Sequence, residues 1–192
     1  MADEAVRRRR RGTELERALL DAAWDELQSV GYAGFTVDAV AQRAGTSRPV
    51  LYRRWPSRAQ LVLAAVRAHL PDASPDAIPD TGSLRGDLLA ALRWWRDRYE
   101  RVGPSIMNGL AGELDHLPTE ALEIVPEMLT TIIERAARRG EIGTGAVPAH
   151  VVDAPAALLR HDLVVRHHQP TDEELTAIVD DIAVPAIERA AR

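Results

Sequence analysis

The stretch from Phe35 to Leu61 leaves this chain few choices. Thr36 is a good helix N-cap, and Asp38 then falls in the first turn, where the positive end of the helix dipole favours an acid. Phe35, just before the cap, is placed to staple onto Val40 one turn in. Val37, Val40, Ala41 and Ala44 recur at i, i+3, i+4 and i+7, a small apolar face that a second helix can cross closely. Gly45 marks the stop, because glycine takes the left-handed conformation at a helix end without steric cost. Ser47 is positioned to cap the next helix. Pro49 lies in its first turn, where a missing N–H costs nothing because that donor has no intrahelical acceptor. Leu51 and Trp55 then face inward, leaving Arg48, Pro49, Val50, Tyr52 and Arg53 on the outer and flanking faces. Pro56 ends the helix, and Ser57 with Gln60 reads as an S-x-x-Q capping box opening another, with Arg58 at an N-terminus where a phosphate can dock. Two short helices joined by a tight turn, the second with a basic outer face, predict a helix-turn-helix that lays its recognition helix in the major groove.

Thr36 to Leu61 also resembles the DNA-binding signature of the tetracycline-repressor (TetR) family of bacterial transcription regulators. The likeness rests on the threonine opening the first helix, the Ala44-Gly45 turn, the Ser-x-x-x-Leu-Tyr run from Ser47 to Tyr52, the aromatic Trp55 and the basic Arg58. Thr46 and Val50 stand where the family often has a branched apolar and a small polar residue, and Trp55 replaces the commoner phenylalanine. Those departures bear on base preference and leave the fold alone. The resemblance implies base-edge or groove-floor roles for Arg48, Pro49, Val50, Tyr52 and Arg53, and phosphate roles for Thr36, Ser47, Tyr52, Arg54 and Arg58. Arginine reads guanine O6 and N7 bidentately, whereas Val50 offers only an apolar contact such as one to a thymine methyl; each good bidentate pair discriminates by roughly 1–3 kcal/mol. Arg48 is the residue expected to set specificity.

A net charge of −5 would argue against a nucleic-acid partner if it were uniform, and it is not. Through Ala68 there are twelve arginines against eight acids, a net of +4, while the remainder carries −9. Part of the front charge is the run Arg7 to Arg11, read as a basic N-terminal arm that is either a solvated tail or a contact to phosphate and minor groove. With no cysteine there is neither a disulfide framework nor a thiolate metal site. No apolar run approaches the roughly 20 residues needed to span a bilayer, and the start lacks a secretory segment. A cytoplasmic protein with no membrane partner is expected.

In chain order, Thr13 and Glu16 form a T-x-x-E box, and Leu15, Leu19, Ala22, Ala23, Leu27 and Val30 repeat at helical spacing before Gly31, with Trp24 beside them as packing. The helix begun at Ser57 continues to about His69. Pro71, Pro75 and Pro79 then bar a regular helix, so 71–82 reads as a linker between a helix-turn-helix domain at 1–70 and a second domain at 83–192. The second domain shows no strand alternation. It reads as helices from Ser83 to Val102, Pro104 to His116, Thr119 to Arg139 with a kink or restart at Pro126, Val147 to His167, and Thr171 to Ala191, the last opened by a Thr171/Glu174 box. The fold class is therefore all-α, a three-helix DNA-binding domain followed by a helical effector-binding and dimerisation domain.

The last two helices carry more apolar surface than one partner helix needs, and the resemblance implies that they pair with the same two helices of a second copy. A two-fold homodimer would read half-sites roughly 34–36 Å apart on a near-palindromic operator. The resemblance also implies a small-molecule effector pocket in the second domain. Trp95, Tyr99, Met107, Leu110, Leu114 and Met128 are candidate linings because aromatic and flexible side chains suit an apolar molecule. An enzyme gains little support, since no glycine-rich phosphate loop is present. His161 and His168 lie about 10.5 Å apart along a helix, too far for one metal ion, so neither metal nor cofactor is expected. The competing reading is an effector-insensitive or architectural DNA binder with a sealed helical core.

Overall fold

The computed structural model describes residues 2–70, 80–117 and 119–192, with side chains from residue 12 and, in the helix starting at Thr119, from residue 125. Among the described residues there is no strand, as the periodicity predicts. The helices are α1 (Ala2–Gly34), α2 (Val37–Arg43), α3 (Arg48–Tyr52), α4 (Arg58–His69), α5 (Leu84–Val102), α6 (Pro104–Ala111), α7 (Thr119–Arg138), α8 (Ala149–Arg160), α9 (Asp172–Ala177) and α10 (Val184–Ala190). They form two compact units, Met1–Asp72 with Ser105–Pro118, and Ala73–Pro104 with Thr119–Arg192. Residues 105–117 thus pack with the first unit, although they follow α5 in the chain. The expected linker at 71–82 lies, as far as residue 79, outside the described residues.

In the first unit α1 packs along α4 and against α2. Leu19, Ala23 and Leu27 of α1 and Leu61, Val62 and Ala65 of α4 are all buried, each leucine contributing roughly 1.5–3 kcal/mol of transfer free energy. Two expectations for α1 need correction. The helix begins at Ala2 instead of at a Thr13 cap, so the backbone of the arginine run is the first part of a helix. Alanine, glutamate and arginine are good helix formers, and nothing before Gly12 breaks the pattern. Leu15 and Val30, at the ends of the apolar stripe, are exposed. The break at Gly31 is real: its φ of 67° interrupts the helix before Tyr32. Trp24 packs as read, stacked on His69 of α4 with ring centroids 4.9 Å apart.

In the second unit α5 packs against α7, α8 and α9 around Leu88, Leu92, Leu129, Ile132, Leu159 and Leu175, all buried. Ser83 caps α5 by accepting from the Gly86 N–H at 3.1 Å, and Gly103 ends it at φ 98°. α7 runs through Pro126 without restarting. The last two helices are each widened by a π turn, His161–Val165 after α8 and Ile178–Ala183 between α9 and α10. The second π turn stands just before Pro185, whose ring and missing N–H disfavour regular α pairing. The Thr171/Glu174 capping box is complete: Thr171 Oγ1 accepts from the Glu174 N–H at 3.2 Å, and the Glu174 carboxylate accepts from the Thr171 N–H at 2.8 Å.

Candidate nucleic-acid interface

The reading head is built by its turn. Gly45 takes φ 60°, the Thr46 N–H donates to Ala41 O at 2.9 Å, and the Gly45 N–H donates to Gln42 O at 3.2 Å. This pair of bonds is a Schellman motif, which satisfies the last carbonyls of α2 and turns the chain sharply into α3. At the start of α2, Thr36 Oγ1 accepts from the Ala39 N–H at 3.2 Å, and its hydroxyl proton is left to donate outward. Phe35 and Val40 are both buried, as the staple requires. Ser47 occupies the cap position of α3, but its hydroxyl makes no capping bond. Pro49 has no N–H to offer it, and the Val50 N–H bonds Ser47's own carbonyl at 3.0 Å. The Ser47 side chain is consequently exposed beside the recognition helix.

The candidate DNA-contacting residues divide by their surroundings. Arg48, Pro49, Tyr52 and Arg53 are exposed and Val50 half-buried, while Leu51 is buried beneath them. The Arg48 Nε lies 3.0 Å from Asp38 Oδ1, and its Cζ sits 5.9 Å from the Tyr52 ring centre. Both neighbours, the Tyr52 side chain first and the Asp38 carboxylate second, raise the Arg48 pKa further above its ordinary value. Arg54 meets Glu16 of α1 at 3.3 Å. Arg43, on α2, is braced by Glu26 at 2.8 Å, a carboxylate buried on α1.

Arg58 is held differently. Its guanidinium hydrogen-bonds the Glu113 carboxylate and lies over the Tyr32 ring, 4.5 Å from the centroid. Tyr32 is buried, and burial first, then the Glu113 carboxylate, pushes its hydroxyl up to about 12. Arg58 in turn holds Glu113 below the ordinary carboxylate range. The adjoining cap is only half the predicted box. Ser57 Oγ accepts from the Gln60 N–H at 3.1 Å, but the Gln60 side chain donates to His116 O at 3.1 Å instead of returning to Ser57. His116, in the 3₁₀ turn Leu114–His116 that follows α6, takes the place of the expected reciprocal partner. Gly109 permits that approach, since a Cβ there would stand 2.1 Å from Tyr32 Cδ1. Sequence spacing carries no signal for these contacts, because Glu113 is 55 residues from Arg58.

The six effector-lining candidates do not form one group. Met107, Leu110 and Leu114 belong to the first compact unit, and Trp95, Tyr99 and Met128 to the second. Tyr99 is buried with its hydroxyl donating to Leu163 O at 2.9 Å, which satisfies a carbonyl of the first π turn. None of the six lines the cleft of about 490 Å³ that opens between α7, the 142–147 loop and the start of α8. Ile133, Ala137, Ile142, Val147 and Val152 supply its apolar walls, and Glu134 and Asp153 its charges. Among the described residues no group of three or more His, Asp or Glu could hold a metal ion, and no helix is long and apolar enough to cross a membrane.

A capped first helix, a Schellman turn and a proline-started second helix edged with arginines define a helix-turn-helix DNA-binding protein. Comparison with known proteins narrows the class. Residues 19–65 match the bacterial regulatory proteins of the tetR family, and residues 78–182 match the tetracyclin repressor-like C-terminal domain. The chain is 32% identical over 191 residues to a DNA-binding transcriptional repressor, TetR, of Mycobacteroides abscessus, covering 95% of this chain and 98% of that one. It is 32% identical over 184 residues to an HTH-type transcriptional regulator of Mycobacterium bovis, covering 91% and 89%. The crystal structure of a TetR family transcription regulator superposes with a TM-score of 0.67 at 27% identity, over 89% of this chain and 97% of that one. The chain belongs to the TetR family and is a DNA-binding transcriptional regulator, a class of protein that is not an enzyme.

Proposed function

We propose that the chain is a homodimeric repressor that occupies a near-palindromic operator in the cytoplasm and is released by a small, largely apolar effector. The observation that carries the DNA-reading half is the exposed basic start of α3, with Arg48 proposed to read a guanine and Pro49, Val50, Tyr52 and Arg53 to line the groove contact. Thr36, Ser47 and Arg54 are proposed phosphate contacts. Arg58 joins them only if its bond to Glu113 is exchanged for one to phosphate. Repression is favoured because a protein seated on a promoter operator blocks polymerase without further machinery, and the relative of 32% identity bears the name of a repressor.

The dimer is supported by Leu158, Val165 and Ile182, large apolar side chains exposed on α8 and the two π turns. The effector reading is supported by the 490 Å³ cleft of the second unit, whose apolar walls suit an apolar molecule. Trp95, half-buried, and the buried Met128 remain candidates in the same unit. The test is anisotropy of the full chain on DNA from its own upstream region, titrated at several salt concentrations with unrelated DNA as competitor. A preference of about 10³ or more with a steep salt slope supports an operator-specific dimer. Weak binding that ignores the competitor's sequence supports the architectural alternative.

A further inference from the structure

Between Thr36 and Arg58 the chain carries five arginines and one acid, Asp38. An acid among them weakens attraction to phosphate, so its presence at the reading head calls for a physical account. As a folding contact the pair with Arg48 does little, since the side chains of Arg48 and Asp38 are 55% and 62% exposed and water screens them. Its geometry is more informative. Asp38 Oδ1 faces the Arg48 Nε at 3.0 Å, and the Tyr52 ring flanks the same guanidinium. A guanidinium is a rigid planar fork of five N–H donors. The acid thus stands nearest Nε, beside the guanidinium and not at its outer end, where the two terminal nitrogens form the end-on pair that matches guanine O6 and N7.

We propose that Asp38 is a specificity-determining positioning residue, whose ion pair beside the Nε of Arg48 biases the guanidinium to present its terminal nitrogens to a guanine edge and away from neighbouring phosphates. The proposal rests on the reading of Arg48 as the base contact. It assigns Asp38 a role beyond that of a first-turn acid in α2. Closure of the DNA over the pair removes water and strengthens it where it was weak in the free protein.

The experiment uses the full chain and duplexes enriched by it from a random pool, with substitutions at each enriched base pair measured by competition. Arg48→Ala identifies the guanine position by loss of preference there. Asp38→Asn is expected to reduce discrimination at that same position about tenfold. It is also expected to raise affinity for unrelated duplex and steepen its salt slope by about 0.9, as one more arginine reaches phosphate. Asp38→Glu, which keeps the carboxylate, restores part of the preference. A merely structural role would lower the melting temperature and weaken all duplexes alike, without moving base preference.

Discrimination unchanged within about twofold in Asp38→Asn, with Arg48→Ala still losing it, overturns the role of Asp38 and leaves that of Arg48 standing. Failure of the wild type to enrich any sequence, or full preference in Arg48→Ala, overturns the base-reading assignment and this one with it.

Discussion

Arg139 reaches the fully buried carboxylate of Asp87 at 3.0 Å, joining the end of α7 to the first turn of α5. The same guanidinium meets Asp80 at 2.7 Å and also pairs with Glu141. Glu141 in turn accepts from the Leu84 N–H at 2.7 Å. Asp87 has further partners in the Thr81 N–H and hydroxyl, each at 2.7 Å. Three carboxylates thus gather at the N-terminus of α5, where the helix dipole favours negative charge.

A buried carboxylate that accepts three hydrogen bonds is costly to disturb from either side. Asp87→Ala is expected to destabilise the second unit by about 3 kcal/mol, because it strips the buried partners of Thr81 and Arg139. Asp87→Asn, which keeps an acceptor, loses less. Denaturant unfolding measures both, and equal losses would show that the charge of Asp87, which both variants remove, carries the effect and the retained acceptor none of it.

The close approach of α6 to Tyr32 yields a packing prediction. Gly109→Ala drives a methyl group into the ring, at 2.1 Å from Cδ1 before relaxation, and is expected to cost roughly 1–3 kcal/mol. Tyr32→Ala removes the obstacle, so the double variant should be more stable than the sum of the two losses implies. A thermal double-mutant cycle without coupling would mean that α6 simply moves away.

Tyr32 also sets an alkaline limit. Its folded pKa of about 12 stands above the ordinary 10.0, so folding favours the neutral phenol. The stability this contributes is complete below pH 10 and is lost as pH rises from 10 towards 12. Ultraviolet titration should show a tyrosine step near pH 12, and Tyr32→Phe should abolish that step and flatten the loss of stability above pH 10. Glu113 runs the opposite way: lowered chiefly by Arg58, it contributes stability above the usual carboxylate range that is lost as pH falls through its folded value.

What was legible in the chain followed from local chemistry. The Thr36 cap, the Gly45 turn, the Thr171/Glu174 box and the helix from Ser83 to Val102 depend on residues within a turn or two of one another, and each is where its spacing predicts. The failures share the opposite property. Gln60 abandons its local cap for His116, Arg58 is taken by Glu113, and Tyr99 is committed to Leu163, each partner more than fifty residues away. Thr13 failed for another reason: a good cap residue does not start a helix when the residues before it are themselves helix formers. Side-chain type, on which the effector candidates rest, does not distinguish a packed core from a lining, and those candidates divide between two units.

Arg54 offers a test of phosphate contact distinct from base reading. It lies beside Glu16 and away from the start of α3, so Arg54→Ala should weaken enriched and unrelated duplexes alike and make the salt slope shallower by about 0.9 per site. Base preference should not move. A change in preference would reassign Arg54 to the groove.

The apolar face of the last helices supplies the final prediction. Val165 is 64% exposed on the π turn after α8, and Leu158 stands two turns before it on the same helix. A charge introduced there meets water in a monomer and costs little, but in a dimer it is buried without a partner and costs several kcal/mol. Val165→Asp with Leu158→Glu should therefore leave the melting temperature of dilute protein nearly unchanged if the face is free. If the face pairs two copies, the variant should sediment as a monomer and lose operator affinity far more steeply than affinity for unrelated DNA, because half-site pairing requires both readers. Sedimentation of the wild type as a monomer at micromolar concentration, with operator binding intact in the double variant, would refute pairing through this face.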